Sequence, residues 1–192
     1  TGMAKLGEIE DAVTALEMSG TDRSKISLMH CTSEYPAPIT EVNLLAIKTL
    51  ENCFGMDVGY SDHTEGTSVP VAAVTLGAKI IEKHFTLDRN LSGPDHLASL
   101  EPDRFAKMVT SIREVEKALG SSIKTPTPSE LRNINSIRKS IVAAIDIQKG
   151  EKFSEKNLTC KRPGTGISPM EIGRLLGRAA SRSFIADEKI EF

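Results

Sequence analysis

The chain has no tryptophan, and aromatic residues make up only 4% of its 192 residues. It also lacks any apolar run near the ~20 residues that a membrane-spanning helix needs, and its first residues lack the basic-then-apolar pattern of a secretory signal. We therefore expect a cytoplasmic protein. With 39% hydrophobic and 26% charged residues, the composition is typical of a globular protein and excludes disordered and collagen-like classes.

Cysteine is scarce, and the three residues present are far apart at Cys31, Cys53 and Cys160. An odd number without any CxxC pair fits neither a disulfide framework nor a structural zinc site. We predict free thiols.

The net charge of −2 conceals an asymmetry between the two parts of the chain. Residues 1–124 contain 12 basic and 18 acidic side chains, whereas residues 125–192 contain 12 basic and 8 acidic ones. A mildly basic second part suits an anionic substrate nearby, but this excess is far below that of nucleic-acid-binding domains. We exclude nucleic acid as a partner.

Up to Gly120, helical apolar patterns alternate with short apolar runs that are typical of buried strands. The patterns predict strands at 26–30, 56–60 and 78–85, and helices at 7–19, 40–50, 66–76 and 102–119. In the second helix Thr40 is the expected N-cap and Leu45 is expected on the inner face. This order predicts a parallel α/β sheet or barrel.

Three strands cannot close a barrel, because an eight-stranded (β/α) barrel needs roughly 250 residues. The alternatives are an open sheet and the second half of a barrel whose first half is absent. The start at Thr1, without an initiating Met, favours a truncated chain.

The composition changes after Gly120. Residues 121–128 are rich in Ser, Thr and Pro, which predicts a linker. Short strand patterns at 141–145, 158–161 and 181–185, separated by turn signals such as Lys149-Gly150, then predict a small β-rich domain. The expected domains are 1–120 and 140–192, with 121–139 between them.

Polar residues cluster where the predicted strands end, which is where ligands bind in α/β barrels and open sheets. Strand side chains alternate, so Ser61 and His63 share one face, as do Glu82 and His84. If those faces point into a barrel, two imidazoles and a carboxylate converge. Such a set suits Mn, Fe, Co or Zn.

Each of these residues also has a structural interpretation. A histidine at a strand end is often only hydrogen-bonded, the role that we assign to His30. Glu82 could pair with Lys83, although alternation points the two to opposite faces. Asp95, in the turn at 93–96, either binds a sugar hydroxyl or caps the turn. Four hydroxyls could hold a phosphate or simply be solvated: Thr32, Ser33, Ser61 and Thr64.

Four segments in this order resemble the N-acetylneuraminate (sialic acid) synthase family: 31–36 (Cys-Thr-Ser-x-Tyr-Pro), 59–64 (Gly-Tyr-Ser-Asp-His-Thr), 81–88 (Ile-Glu-Lys-His-Phe-Thr-Leu-Asp) and 93–102 (Gly-Pro-Asp-His-x-Ala-Ser-Leu-Glu-Pro). The tail, with 140–150 and 161–167, resembles the antifreeze-like (SAF) domain that follows the barrel in that family. The resemblance implies the C-terminal part of a (β/α)8 TIM barrel, containing its last three strands, followed by a small β-rich SAF domain.

The resemblance also implies a catalytic centre with a divalent metal, Mn²⁺ in the family's usual description. His63 and His84 match the family's metal ligands, and Glu82 matches a carboxylate beside the metal. These three are the expected catalytic residues.

Substrate-binding roles come from the same resemblance. Ser33 and Ser61 match positions that hold the phosphate or carboxylate of phosphoenolpyruvate, and Tyr35 belongs to the first of these segments. Asp95 matches a residue that binds the amino sugar. Arg162 matches an arginine that reaches into the partner subunit's barrel and recognises the N-acetyl group, which implies a domain-swapped homodimer.

The implied reaction is the condensation of phosphoenolpyruvate with N-acetylmannosamine and water to give N-acetylneuraminate and phosphate. The alternatives are a legionaminic acid or other nonulosonic acid synthase and, from another class, a non-catalytic sugar-binding fragment; residues 95–99 weaken a pseudaminic acid assignment. The family's phosphate-binding lysines and an acid/base Glu lie on strands absent here. We therefore expect the isolated chain to be inactive and, because its barrel edges are open, poorly soluble.

Overall fold

Three parallel strands alternate with helices in the first of two units, Thr1–Ser121, of a computed structural model that describes all residues 1–192. The strands lie in the order β1-β2-β3, and Ser61 pairs in register with Cys31 on one side and with Glu82 on the other. The elements of this unit are α1 (Leu6–Met18), β1 (Leu28–Cys31), α2 (Ala46–Phe54), β2 (Val58–Asp62), α3 (Ser68–Thr75), β3 (Ile81–Lys83) and α4 (Pro102–Leu119).

One face of the sheet packs against helices and forms the main core of this unit. Alternate strand residues Leu28, Val58 and Tyr60 are buried there with apolar residues of α1 and α2. The opposite face is closely packed at Gly59, where a Cβ atom would lie 2.3 Å from the sulfur of Met29 and 2.8 Å from the Cβ of Ile80. Only glycine fits at that position.

Helix α4 forms over the predicted residues, because its two ends carry clear signals. Pro102 is tolerated in the first turn, and Gly120 follows the last residue with a φ of 50°. Met108 and Ile112 are buried on its inner face and pack with Leu100 and with apolar residues of α3.

The prediction that Thr40 caps the second helix is wrong. Residues Ile39–Glu41 form a short 3-10 turn, and Asn43 adopts a φ of 49°, a left-handed conformation that Asn tolerates and that interrupts the helical path. The α-helix begins only at Ala46. Leu45, expected on the inner face, is 73% exposed.

The second unit, Ser122–Phe192, contains a two-stranded antiparallel sheet. Its elements are α5 (Pro128–Ile137), β4 (Ser140–Ala143), β5 (Leu158–Lys161) and α6 (Ile172–Leu175). Its core contains Ile141, Phe153 and Phe184. The predicted strand at 181–185 does not form: Phe184 makes an isolated bridge to Ile147, and the chain turns at Asp187, whose φ is 70°.

Helix α5 lies inside the segment 121–139, where composition predicts a linker. Its start has a capping box, in which the Thr127 hydroxyl accepts from the backbone N–H of Glu130 and the Glu130 carboxylate accepts from the N–H of Thr127. Pro128 occupies the first helical turn, where a missing N–H costs nothing. None of its residues is buried.

No helix in the structure combines the length and the apolar character that crossing a membrane requires.

Candidate active site

Polar side chains meet at the C-terminal ends of β2 and β3, on the sheet face opposite the helices. Ser61 and Glu82 are paired in register, and the Ser61 hydroxyl donates to Oε1 of Glu82 at 2.6 Å. Ser61 Oγ also lies 3.2 Å from Nε2 of His63. The structure therefore places Ser61, His63 and Glu82 together.

The orientation of the His63 ring is set by a carbonyl that the sequence did not point to. Nδ1 lies 2.6 Å from the backbone oxygen of Thr32. Because a carbonyl oxygen only accepts hydrogen bonds, Nδ1 carries a proton, and in the neutral ring Nε2 keeps its lone pair. The nitrogen that faces Ser61 is thus the one available to a ligand.

Two further rings complete the cluster. The ring centroid of His84 lies 5.4 Å from that of His63, at an edge-on angle of 86°. Tyr35 packs against both imidazoles, with centroid distances of 4.2 Å to His63 and 5.4 Å to His84. The first-strand loop thereby covers the histidine pair.

These side chains fit part of a metal site. His63 is arranged as metal-bound histidines usually are, with Nδ1 donating to a carbonyl, while Nε2 contacts only the Ser61 hydroxyl oxygen. The His84 side chain makes no hydrogen bond in the structure. No group of three or more His, Cys, Asp or Glu side chains is arranged to hold a metal ion. The chain thus offers two imidazoles, and further ligands would come from water, substrate or residues outside it.

The opposite face at the same level carries a buried ion pair that sequence reasoning missed. Lys83 Nζ lies 2.6 Å from Oδ2 of Asp62, and both side chains are at most 1% exposed. Oδ1 of Asp62 accepts from the Tyr60 hydroxyl at 3.1 Å and from the Thr64 hydroxyl at 2.8 Å. Burial, followed by the Asp62 charge, raises the pKa of Tyr60 far above its usual value, so its hydroxyl remains a donor.

This arrangement shows which partner Lys83 has and where the Thr64 hydroxyl lies, two points that the sequence left open. Lys83 pairs with Asp62 rather than with Glu82, as the alternation of side chains indicated. The Thr64 hydroxyl, considered as a possible phosphate donor at the open end of the sheet, is fully buried and bonded to Asp62. That interpretation of Thr64 is wrong, because its side chain points toward the helices.

The remaining candidate side chains make other contacts. Ser33 lies beside Gly2, where a Cβ atom would come within 2.3 Å of the Ser33 hydroxyl oxygen. The Thr32 hydroxyl donates to the backbone of Glu41. His30 lies on the helix side, with Nε2 2.8 Å from the carbonyl of Val42, in the structural role assigned to it.

The loop after β3 presents Asp95. Its carboxylate is exposed and makes no hydrogen bond, while the adjacent His96 is fixed by a 2.7 Å contact between Nδ1 and the hydroxyl of buried Thr86. The loop closes where Thr86 N donates to the carbonyl of Leu100. The neighbouring contacts therefore fix the loop around Asp95, and the Asp95 carboxylate is available to a ligand.

Arg162 belongs to the second unit and is exposed. Its Nε donates to the carbonyl of Ile137 at 2.8 Å, and no other hydrogen bond or ion pair of its guanidinium is formed. The two terminal nitrogens remain available to a ligand.

Comparison with known proteins identifies both parts of the chain. The NeuB family model matches residues 1–124, and the SAF domain model matches residues 138–191. The predicted fold class, the C-terminal part of a TIM barrel followed by a small SAF domain, is confirmed.

Similar proteins carry names of one biosynthetic class. The chain is 56% identical over 190 residues to the N,N'-diacetyllegionaminic acid synthase of Campylobacter jejuni, covering 99% of this chain and 57% of that protein. It is 46% identical over 188 residues to the Legionella pneumophila protein of the same name, covering 97% and 53%.

Among solved structures, the N-acetylneuraminic acid (sialic acid) synthetase of Leptospira borgpetersenii, in complex with citrate, aligns with a TM-score of 0.62 at 41% identity. That alignment covers 69% of this chain and 46% of the synthetase. The chain spans about half the length of the curated relatives that it matches.

Proposed function

The chain belongs to the NeuB family, and we propose that the full-length protein condenses phosphoenolpyruvate with an N-acetylated amino sugar to form a nonulosonic acid and phosphate. The observation that carries this proposal is the convergence of Ser61, His63, Glu82 and His84 on one sheet face at the strand ends. The names of the relatives support the reaction class.

Nε2 of His63 and the imidazole of His84 would hold a divalent metal, of which Mn²⁺ is the first candidate. The set of two imidazoles with oxygen ligands suits this ion. When bound, such an ion supplies Lewis-acid polarisation of a carbonyl oxygen.

The reaction needs little covalent chemistry from the protein. The methylene carbon of phosphoenolpyruvate forms a bond to the aldehyde carbon of the open-chain sugar, and the aldehyde oxygen takes up a proton. Water adds to the resulting cationic carbon and loses a proton, and phosphate leaves. The task of the side chains is to orient the reactants and to place charge where it develops.

Within that scheme, the Ser33 hydroxyl binds phosphoenolpyruvate, and the Ser61 hydroxyl binds it by turning its hydrogen from Glu82 to the substrate. Glu82 lies beside the site as a carboxylate that holds Ser61 through a 2.6 Å hydrogen bond before the substrate binds and can take the proton released by water. Tyr35 packs over the histidine rings and shields them from bulk solvent. Asp95 offers a free carboxylate to the hydroxyls of the sugar.

The amino sugar that the sequence-based prediction favoured is N-acetylmannosamine. The 56% and 46% identities to two diacetyllegionaminic acid synthases favour a diacetamido sugar instead. We propose this sugar as the preferred substrate, with N-acetylmannosamine as the alternative. Arg162 of a domain-swapped partner subunit would recognise an N-acetyl group common to both.

Release of inorganic phosphate from phosphoenolpyruvate, by the full-length protein with Mn²⁺, tests the proposal. Phosphate with the diacetamido sugar supports a legionaminate synthase, and phosphate with N-acetylmannosamine alone supports a neuraminate synthase. A non-catalytic sugar-binding protein would release none with either sugar and would bind no Mn²⁺ that survives desalting.

A further inference from the structure

The buried pair of Asp62 and Lys83 lies between the residues of the candidate active site. Along the chain, Asp62 lies between Ser61 and His63, and Lys83 lies between Glu82 and His84. Asp62 and Lys83 are themselves paired in register and are the last residues of their strands.

Beyond that pair, no sheet pairing links His63 to His84. In this region, side-chain contacts connect the two chain segments. Lys83 Nζ donates to the backbone oxygen of Thr64, and Oδ1 of Asp62 accepts from the backbone N–H of Thr64 at 3.0 Å. The backbone on both sides of His63 is thereby tied to β3.

Burial of the pair costs free energy, because both charges lose their hydration. An apolar pair of the same volume often gives the protein equal stability. Every buried side-chain nitrogen and oxygen in the structure nevertheless has at least one hydrogen-bond partner. A buried polar network whose members are all bonded makes the local structure rigid, and here that rigid structure includes the strand ends.

We propose that Asp62 and Lys83 are positioning residues, which hold the His63 and His84 rings in the relative orientation that metal binding and turnover require. This inference rests on the proposed function and adds residues that touch neither substrate nor metal.

The test compares three variants of the full-length enzyme. The double variant Asp62→Asn/Lys83→Met removes both charges together, so no unpaired charge remains buried. Thr64→Val keeps the side-chain shape and removes one hydrogen bond to Asp62. Val58→Ala is the matched control, because Val58 is buried on the same strand and the same face but lies outside the network.

The measurements are the thermal midpoint, the Mn²⁺ dissociation constant by electron paramagnetic resonance, kcat, and the ring positions in crystals. In the double variant we expect displaced imidazole rings, weaker Mn²⁺ binding and a kcat lowered by about 10²-fold, the effect of a misplacement near 1 Å. Thr64→Val changes the same quantities in the same direction by a smaller factor. Val58→Ala lowers the thermal midpoint alone.

Unmoved rings and wild-type Mn²⁺ affinity in the folded double variant would overturn the inference. If the double variant does not fold, the same readings on Thr64→Val decide it. A wild-type enzyme that releases no phosphate would instead overturn the proposed function, while the ring positions in the variants would still decide the positioning role.

Discussion

The Ser61 hydroxyl donates its single hydrogen to Oε1 of Glu82, at 2.6 Å. The same oxygen lies 3.2 Å from Nε2 of His63, whose Nδ1 already donates to the Thr32 carbonyl. If Nε2 carries no hydrogen, the contact between Ser61 and His63 joins two acceptors. A cation bound at Nε2 would remove this conflict, in agreement with the proposed metal site.

Glu82→Gln removes the negative charge of the Glu82 side chain and keeps its shape. The amide oxygen still accepts from Ser61, so we expect the Michaelis constant for phosphoenolpyruvate to change little, while kcat falls by about 10²-fold, as is typical for loss of a proton-accepting group. Steady-state kinetics in saturating Mn²⁺ measures both constants. An unchanged kcat would exclude a catalytic role for Glu82.

Ser61→Ala gives the complementary result if the hydroxyl binds phosphoenolpyruvate. Loss of a hydrogen bond to a charged group costs about 1.5–3 kcal/mol, or roughly ten- to a hundredfold in the Michaelis constant for phosphoenolpyruvate. The same kinetic assay applies. A fall in kcat alone would assign Ser61 to the support of Glu82 rather than to substrate binding.

His84→Ala is expected to abolish turnover and to leave the fold intact, because the ring makes no hydrogen bond. The loss of Lewis-acid stabilisation is worth several kcal/mol, or more than about a hundredfold in kcat. Mn²⁺ titration followed by electron paramagnetic resonance checks the binding directly.

His30→Gln serves as the matched control, since His30 lies on the opposite sheet face and Gln retains a donor for the Val42 carbonyl. It should bind Mn²⁺ as the wild type does. Activity of His84→Ala in excess Mn²⁺ would count against the ligand assignment.

Arg162→Ala should raise the Michaelis constant for the amino sugar by about ten- to a hundredfold, because a charged hydrogen bond of ~1.5–3 kcal/mol is lost. The constant for phosphoenolpyruvate should stay nearly the same. Arg174→Ala, which removes another exposed arginine of the same unit, is the control. Equal effects on both substrates would rule out a role in sugar recognition.

The capping box of α5 predicts a pH dependence. The Thr127 backbone N–H and hydroxyl lower the pKa of Glu130 below its ordinary value of 4.5. Stabilisation by this carboxylate is therefore complete above the ordinary pKa and is lost as the pH falls through the lowered one.

We expect amides of residues 129–137 to lose protection in this acidic range, measured by hydrogen exchange normalised for intrinsic rates. Glu130→Gln keeps the cap and should remove the pH dependence, whereas Glu155→Gln, which lies outside the helix, should preserve it. Equal pH profiles in the wild type and Glu130→Gln would show that the Glu130 carboxylate does not cause the pH dependence.

The sequence predicted the alternation of helices and strands and the shared faces of the site residues, because both follow from local periodicity. It placed β2 two residues early, at 56–60 rather than Val58–Asp62. The reason is that Ser61 and Asp62 are polar, and a polar residue normally marks the end of a buried strand. Here Asp62 remains in the strand because Lys83, 21 positions later, neutralises it.

Contacts between segments were the part that the sequence could not supply. The Thr32 carbonyl that orients His63 and the burial of Thr64 depend on the folded path of loops, for which no periodic signal exists. The predicted third strand of the small domain failed for a related reason: a β-like composition at 181–185 forms a ladder only if a partner strand runs beside it, and here a single bridge forms.

The register between β2 and β3 also has a consequence for folding. Slippage of β3 by one residue would turn every side chain to the other face, bringing Glu82 instead of Lys83 into the helix layer beside Asp62. Two carboxylates would then share a water-free space without a counter-ion, and such a state is strongly disfavoured. The pairing of opposite charges at Asp62 and Lys83 thus favours the observed register of β2 and β3 over this slipped alignment.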